Sequence, residues 1–191
     1  MSDDPYVYPD TDVLRNALDI RDGVELKRVE ADLVYWRSLR LASQQIPGSY
    51  DLPHLQAFHR FLFDGLYEWA GELRTVPLAR IDLFCLPEHI DSYAADVFGR
   101  LADERQLVGL DRGAFVDRLA HYLAEVNALH PFREGNGRAQ RAFFAQLAAE
   151  AGLRLNWQAV DPQRNIDASV AAMRGDEGSL RKLLNEITRP L

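Results

Sequence analysis

Apolar residues recur every three to four positions along nearly the whole chain, a spacing that predicts helices rather than strands. From Asp22, the run GVELKRVEADLVYWRSLRLAS places Leu26, Val29, Leu33, Trp36 and Leu39 on one stripe. Pro47-Gly48 interrupts the chain, and Asp51 then caps a second helix carrying Leu55, Phe58, Leu62 and Phe63. A third helix opens at Pro87, a favoured first-turn residue, and runs towards Leu107. Asp111 starts a fourth, with Phe115, Leu119, Leu123, Val126 and Leu129 on its apolar face. A fifth carries Phe143, Phe144, Leu147 and Ala151, and Gly152 follows where a left-handed stop belongs. Asp161-Pro162 opens a sixth, and Ser179 to Ile187 a short last one. Only GELRTVPLARIDLFCLP, between Gly71 and Pro87, lacks a helical period; its β-branched residues and Pro77 point to a short hairpin or flap. The expected fold class is all-α, a compact helical bundle with one short β-hairpin flap.

Composition narrows the function classes. The 191 residues carry 22 Lys plus Arg against 29 Asp plus Glu, a net charge of −7, which argues against direct nucleic-acid binding through a basic face. A single cysteine, Cys85, excludes a disulfide framework and a Cys-based zinc site and fits a reducing compartment. The acidic MSDDPYVYPD start has no apolar signal core, and no apolar stretch is long enough to span a membrane. The expectation is one cytoplasmic domain over residues 1–191, with no membrane partner.

One segment departs from the helical pattern with a chemistry of its own: LHPFREGNGRAQR, Leu129 to Arg141. Pro131 disfavours helical geometry at His130, so the fourth helix should end there with the imidazole at its edge. Phe132, apolar among polar neighbours, should plug into the core. Gly135-Asn136-Gly137 tolerates positive φ, and successive N–H groups turned to one side make an anion nest at the start of the next helix. Arg138 and Arg141 share a face in that helix's first turns, where the dipole disfavours cations unless an anion sits among them. A polyphosphate meets that description, because arginine forks bind phosphate bidentately. Glu134 could hold Mg²⁺, and His130 is the group nearby able to act as a base near neutral pH. Nucleotidyl or phosphoryl transfer to a hydroxyl follows as the reaction class.

The run HPFREGNGR, with Arg141 following, resembles the signature of the Fic (filamentation-induced-by-cAMP) domain, HxFx(D/E)GNGRxxR, at every fixed position. The similarity extends from about Tyr8 to about Gly175, through YVYPDTDVLRN and YEWAGELR. The resemblance implies a Fic-type helical bundle and AMPylation, the transfer of AMP from ATP, as co-substrate, onto a Tyr, Ser or Thr hydroxyl of a target protein. By motif position, His130 is similar to the family's general base and Glu134 to its Mg²⁺ ligand. Gly135, Asn136 and Gly137 resemble its anion hole, and Arg138 and Arg141 its β- and γ-phosphate arginines. The flap implies a target strand added at its edge, with Phe84 and Cys85 as candidates. Many relatives silence themselves with (S/T)xxxE(G/N), but no glutamate here has Ser or Thr four residues before it; Glu177-Gly178 follows Met173. The chain therefore resembles the class inhibited in trans by a small helical antitoxin that supplies the glutamate. Bacterial toxins of this kind imply DNA gyrase or topoisomerase IV subunits as targets. The alternatives are a secreted effector acting on host GTPases, a site using UMP or phosphocholine donors, and a pure nucleotide binder; the pairing of His130 with Glu134 disfavours the last.

Other residues carry plainer expectations. His54 and His59, five apart, do not share a helical face as a zinc pair would. His121 should face a neighbouring helix. Trp36 and Trp69 read as core, Cys85 by itself as a small inert hydrophobe, and Glu72, Arg74 and Asp82 as solvent-facing.

Overall fold

The structure is a computed structural model that describes residues 4–41, 43–79 and 82–191. Its helices are α1 (Gly23–Leu41), α2 (Leu52–Phe63), α3 (Ile90–Asp103), α4 (Arg112–Leu129), α5 (Asn136–Glu150), α6 (Pro162–Met173) and α7 (Gly178–Ile187). Three start where a capping aspartate was expected. Asp51 accepts from the His54 N–H at 2.9 Å, Asp111 from the Gly113 and Ala114 N–H groups, and Asp161 from the Arg164 N–H. Each carboxylate satisfies donors that the first helical turn leaves unpaired.

Helix α4 runs through the centre and packs against α3, α5, α6 and α7. Phe115, Leu119, Tyr122, Val126 and Leu129 on it are fully buried and meet Phe143, Phe144 and Leu147 of α5. A second core cluster joins α1 and the end of α2 to Tyr8 and Val13 of the N-terminal segment and to Tyr67 and Trp69 beyond α2. The two short strands β1 (Leu153–Leu155) and β2 (Thr188–Pro190) pair antiparallel, with Arg154 opposite Arg189, and close the chain's C-terminal end against α5.

Two expectations change form. The α1 stripe is rotated: the buried line is Leu26, Glu30 and Val34, whereas Trp36 is 65% exposed and Leu39 lies on the surface. Apolar periodicity alone cannot count a glutamate as a core position, and it is Glu30 that points inward. The flap is an irregular excursion whose arms meet in one antiparallel bridge, Ala79 to Leu83, supported by Phe84 N–H donating to the Leu78 carbonyl at 3.1 Å. The sheet ladder lies instead at β1 and β2. Arg80 and Ile81, which the flap reading also covered, lie outside the described residues.

Among the described residues no helix is long and apolar enough to cross a membrane.

Candidate functional site

The chain breaks out of α4 at His130, which adopts a left-handed conformation with φ 44° as Pro131 follows. Its N–H still donates to the Val126 carbonyl at 3.1 Å, so the helix closes normally while the side chain swings off its end. Nδ1 lies 3.1 Å from the Asn127 carbonyl. A carbonyl only accepts, so Nδ1 carries the proton and Nε2 is the basic nitrogen of the neutral ring. The Phe84 ring, 6% exposed, stacks on the imidazole at 3.7 Å with planes 12° apart. The flap therefore delivers Phe84 to the His130 ring, while Cys85, half-buried, has its thiol pushed upward in pKa by burial.

Beyond His130 the loop is clamped from beneath. Phe132 is fully buried and stacks on His59 at 4.0 Å, as its apolar character among polar neighbours suggested. Asn136, 3% exposed, accepts from the Phe132 N–H at 2.9 Å and donates to the Phe132 carbonyl at 2.7 Å. Its amide thus braces the loop from within, and its backbone N–H is left for the nest. His59 accepts from the Gly71 N–H at Nδ1, 2.8 Å, and so donates from Nε2 to the Glu134 carbonyl at 2.9 Å. Burial pushes the His59 imidazole down to about 4, so it stays neutral in this role.

Gly135 takes φ 81°, and a Cβ there would stand 2.4 Å from two carbons of the Phe63 ring. Only glycine fits both the backbone angle and the contact. Helix α5 begins immediately after, so the N–H groups of Asn136 and Gly137 have no intrahelical carbonyl to reach and face outward at the positive end of the dipole.

The arginines divide their work. Arg133 is neutralised by Asp4 at 2.8 Å. Arg138 lies over the Phe63 ring at 4.8 Å, with Nη1 2.6 Å from Glu30 and Nη2 3.2 Å from Glu134. Arg141 pairs with no carboxylate among the described residues. Its guanidinium packs beneath Gly137, and burial together with the neighbouring Arg138 charge pulls its pKa down. A half-buried cation beside a second cation and a helix N-terminus is a site prepared for an anion.

These groups line one cleft of about 670 Å³. His130, Glu134, Gly135, Arg138 and Arg141 line it together with Leu78, Asp82 and Phe84 of the flap lip, and α6 supplies a further wall. Along that wall Ile166, Val170 and Met173 alternate with Asn165 and Ser169, a mostly apolar surface with two polar edges. The cleft brings together His130, Phe84, Glu134 and the Gly-Asn-Gly and arginine positions singled out in the sequence; Cys85 stands just outside it, on the flap arm. Glu134 is 38% exposed, and among the described residues no group of three or more His, Cys, Asp or Glu could cage a metal. Glu134, one carboxylate beside a helix N-terminus, suits Mg²⁺, which completes its shell with phosphate oxygens and water, and does not suit zinc.

Three supporting residues have no recognisable local signal in the sequence. Glu30 sits mid-helix in α1 and gives no local signal. His59 stands out in the sequence only as half of a poor zinc pair, whereas in the structure it bridges Gly71 and Glu134. Arg74, expected in solvent, is 2% exposed. His54, the other half of the discounted pair, is bound between the Tyr50 N–H and the Ile46 carbonyl, and His121 faces Glu177 at 3.2 Å.

A model described as the Fic/DOC family matches residues 49–148. "Protein adenylyltransferase VbhT" of Bartonella schoenbuchensis is 42% identical over 184 residues, or 96% of this chain and 38% of that protein. The chain thus spans well under half of that relative's length. "Probable protein adenylyltransferase Fic" of Escherichia coli is 39% identical over 186 residues, covering 96% of this chain and 92% of that one. Among solved structures, the BepC effector protein of Bartonella tribocorum, with bound AMPPNP, has a TM-score of 0.90 at 26% identity and 97% coverage of both chains. The matched stretch contains the whole loop from His130 to Arg141, and relatives align along almost all of the remainder: this chain belongs to the Fic/DOC family.

Proposed function

We propose that this chain is a protein adenylyltransferase that moves AMP from ATP onto a hydroxyl of a target protein. The observation that carries the reading is the meeting, in one cleft, of an imidazole basic at Nε2 with an arginine-flanked helix N-terminus. His130 Nε2 takes the proton of the target hydroxyl as its oxygen attacks the α-phosphorus, and pyrophosphate leaves. The Asn136 and Gly137 N–H groups face the charge that develops on the phosphate oxygens. Arg138 and Arg141 hold the β- and γ-phosphates, and the apolar α6 wall takes the adenine. Glu134 would hold Mg²⁺ within the cleft; the ion would supply charge neutralisation on the phosphates when bound. The relatives named protein adenylyltransferases support this reading.

The flap arm ending at Leu83, 59% exposed, offers an edge on which an extended target segment can dock. Regulation in trans is part of the same proposal: a small helical antitoxin would offer a glutamate to Arg141, whose guanidinium has no carboxylate partner among the described residues. Gyrase or topoisomerase IV subunits are the first targets to try, as for a bacterial toxin; host GTPases are those of an effector.

The test is label transfer from α-³²P-ATP with Mg²⁺ into a bacterial lysate, comparing wild type with His130→Ala. A labelled band that disappears in the variant is the expected result, and mass spectrometry of the band names the target. Nucleotide binding without transfer of α-label would overturn adenylylation, and label from α-³²P-UTP alone would assign a different donor.

A further inference from the structure

Arg74 has the credentials of a surface residue in the sequence, sitting in a polar stretch between Gly71 and Pro77. The structure buries it to 2% exposure and, among the described residues, gives its guanidinium no carboxylate. Burying an unpaired cation is costly unless dipoles replace the lost water. Here carbonyls do so. Nε donates to the His130 carbonyl at 2.7 Å, Nη1 to the Val76 carbonyl at 2.8 Å, and Nη2 to the carbonyls of Cys85 and, at 3.4 Å, Leu129. The Arg74 N–H adds a bond to the Pro131 carbonyl at 2.9 Å. Leu129 and His130 end α4, where the helix dipole is negative and a cation is favoured.

The partners matter more than their number. One is the carbonyl of the proposed base, a non-glycine residue held at φ 44°, a conformation that persists only where its surroundings fix it. Two others, Val76 and Cys85, belong to the two arms of the flap. Cys85 is further tied to α4 by its N–H on the Ala128 carbonyl at 3.0 Å. Its neighbour Phe84 stacks on the His130 ring. A single guanidinium therefore grips the backbone of His130 and the flap backbone at Cys85, the residue after the ring that lies against the imidazole. A lysine, with one nitrogen on a flexible stem, cannot span these positions as a planar fork can.

We propose that Arg74 is a positioning residue for the transfer step, locking the flap arms to the His130 carbonyl so that flap and imidazole are set as one unit. This inference rests on His130 being the base. It assigns Arg74 no contact with nucleotide, because the anion nest is braced separately by His59 and Asn136.

The experiment compares wild type, Arg74→Lys, Arg74→Gln and His130→Ala. It measures thermal unfolding, the Kd of a fluorescent non-hydrolysable ATP analogue, and the initial rate of α-label transfer into the lysate band at saturating ATP. For Arg74→Gln the expected result is a Kd within about threefold of wild type and a saturated transfer rate at least about 30-fold lower, with Arg74→Lys between the two. A packing role alone would lower the unfolding temperature without that split. Wild-type transfer by folded Arg74→Lys, or a loss in Arg74→Gln confined to nucleotide affinity, would overturn the inference. Wild-type transfer by His130→Ala would instead remove the base reading on which it stands. Should neither Arg74 variant fold, or no label transfer from wild type, hydrogen exchange on the wild-type protein decides. The Arg74, Cys85 and His130 amides should open together with one protection, and separate opening of flap and helix end would refute the coupling.

Discussion

Glu30 of α1 places Oε1 2.6 Å from Nη1 of Arg138, and its other oxygen accepts a short hydrogen bond from the Tyr67 hydroxyl. Burial and this carboxylate together push the Tyr67 phenol far above its ordinary pKa, so it remains a donor. A helix remote in sequence thereby anchors one edge of the arginine, while Glu134 holds the other edge at 3.2 Å. Because Glu30 is inward-facing, removing it strands charge instead of merely losing a surface contact.

Glu30→Ala should therefore cost about 2 kcal/mol of stability, below the figure for a fully buried pair because Arg138 keeps Glu134. Urea unfolding at pH 7 reads this as a lower midpoint with unchanged slope. An unchanged midpoint would mean that water or Glu134 fully replaces the lost partner.

His59 makes stability fall in acid. Its folded pKa of about 4 lies below the ordinary 6.5, so between those values the unfolded chain binds the proton and the native chain does not. Stability from this group is complete above about pH 6.5 and is lost as pH falls towards 4, on the order of 3 kcal/mol in all. In His59→Gln, whose amide can still donate to the Glu134 carbonyl but does not titrate, the dependence on pH over that window should be shallower. Parallel stability curves for the two proteins would exclude His59 as the source.

Gly135→Ala faces both the φ of 81° and a Cβ 2.4 Å from the Phe63 ring. The loop must shift, and with it the two outward N–H groups of α5. Affinity for the ATP analogue should drop at least about tenfold, the equivalent of about 1.4 kcal/mol. Isothermal titration measures it, and wild-type affinity would show that the nest tolerates the displacement.

Asp82 and Arg174 join the flap lip to the end of α6 at 2.8 Å, with 40% and 57% of their side chains exposed. Exposed pairs contribute little, so Asp82→Asn should leave the urea midpoint unchanged. A clearly lowered midpoint in the same measurement would mean the lip is held to α6 through this one contact.

The helices were legible because their signals are local. Asp51, Asp111 and Asp161 cap where expected, and Gly152 takes its left-handed angle, since caps and stops depend on residues within a turn of each other. The face that α1 buries was not legible. Trp36 fits an apolar stripe, yet the helix turns it outward so that Glu30 can reach an arginine 108 positions later in the chain.

The sequence alone determined which of these groups meet in the cleft, for a plain reason: His130, Glu134, the glycines and both arginines lie within one loop and the helix turn after it, where spacing dictates geometry. Tertiary structure decided how that loop is held. Arg74 grips the carbonyl of His130 across 56 residues, and His59 reaches the carbonyl of Glu134 across 75. Phe84 covers the imidazole from the flap. Whether a polar side chain is solvated or buried depends on which distant carbonyl or carboxylate the fold brings to it, and no local pattern encodes that distance.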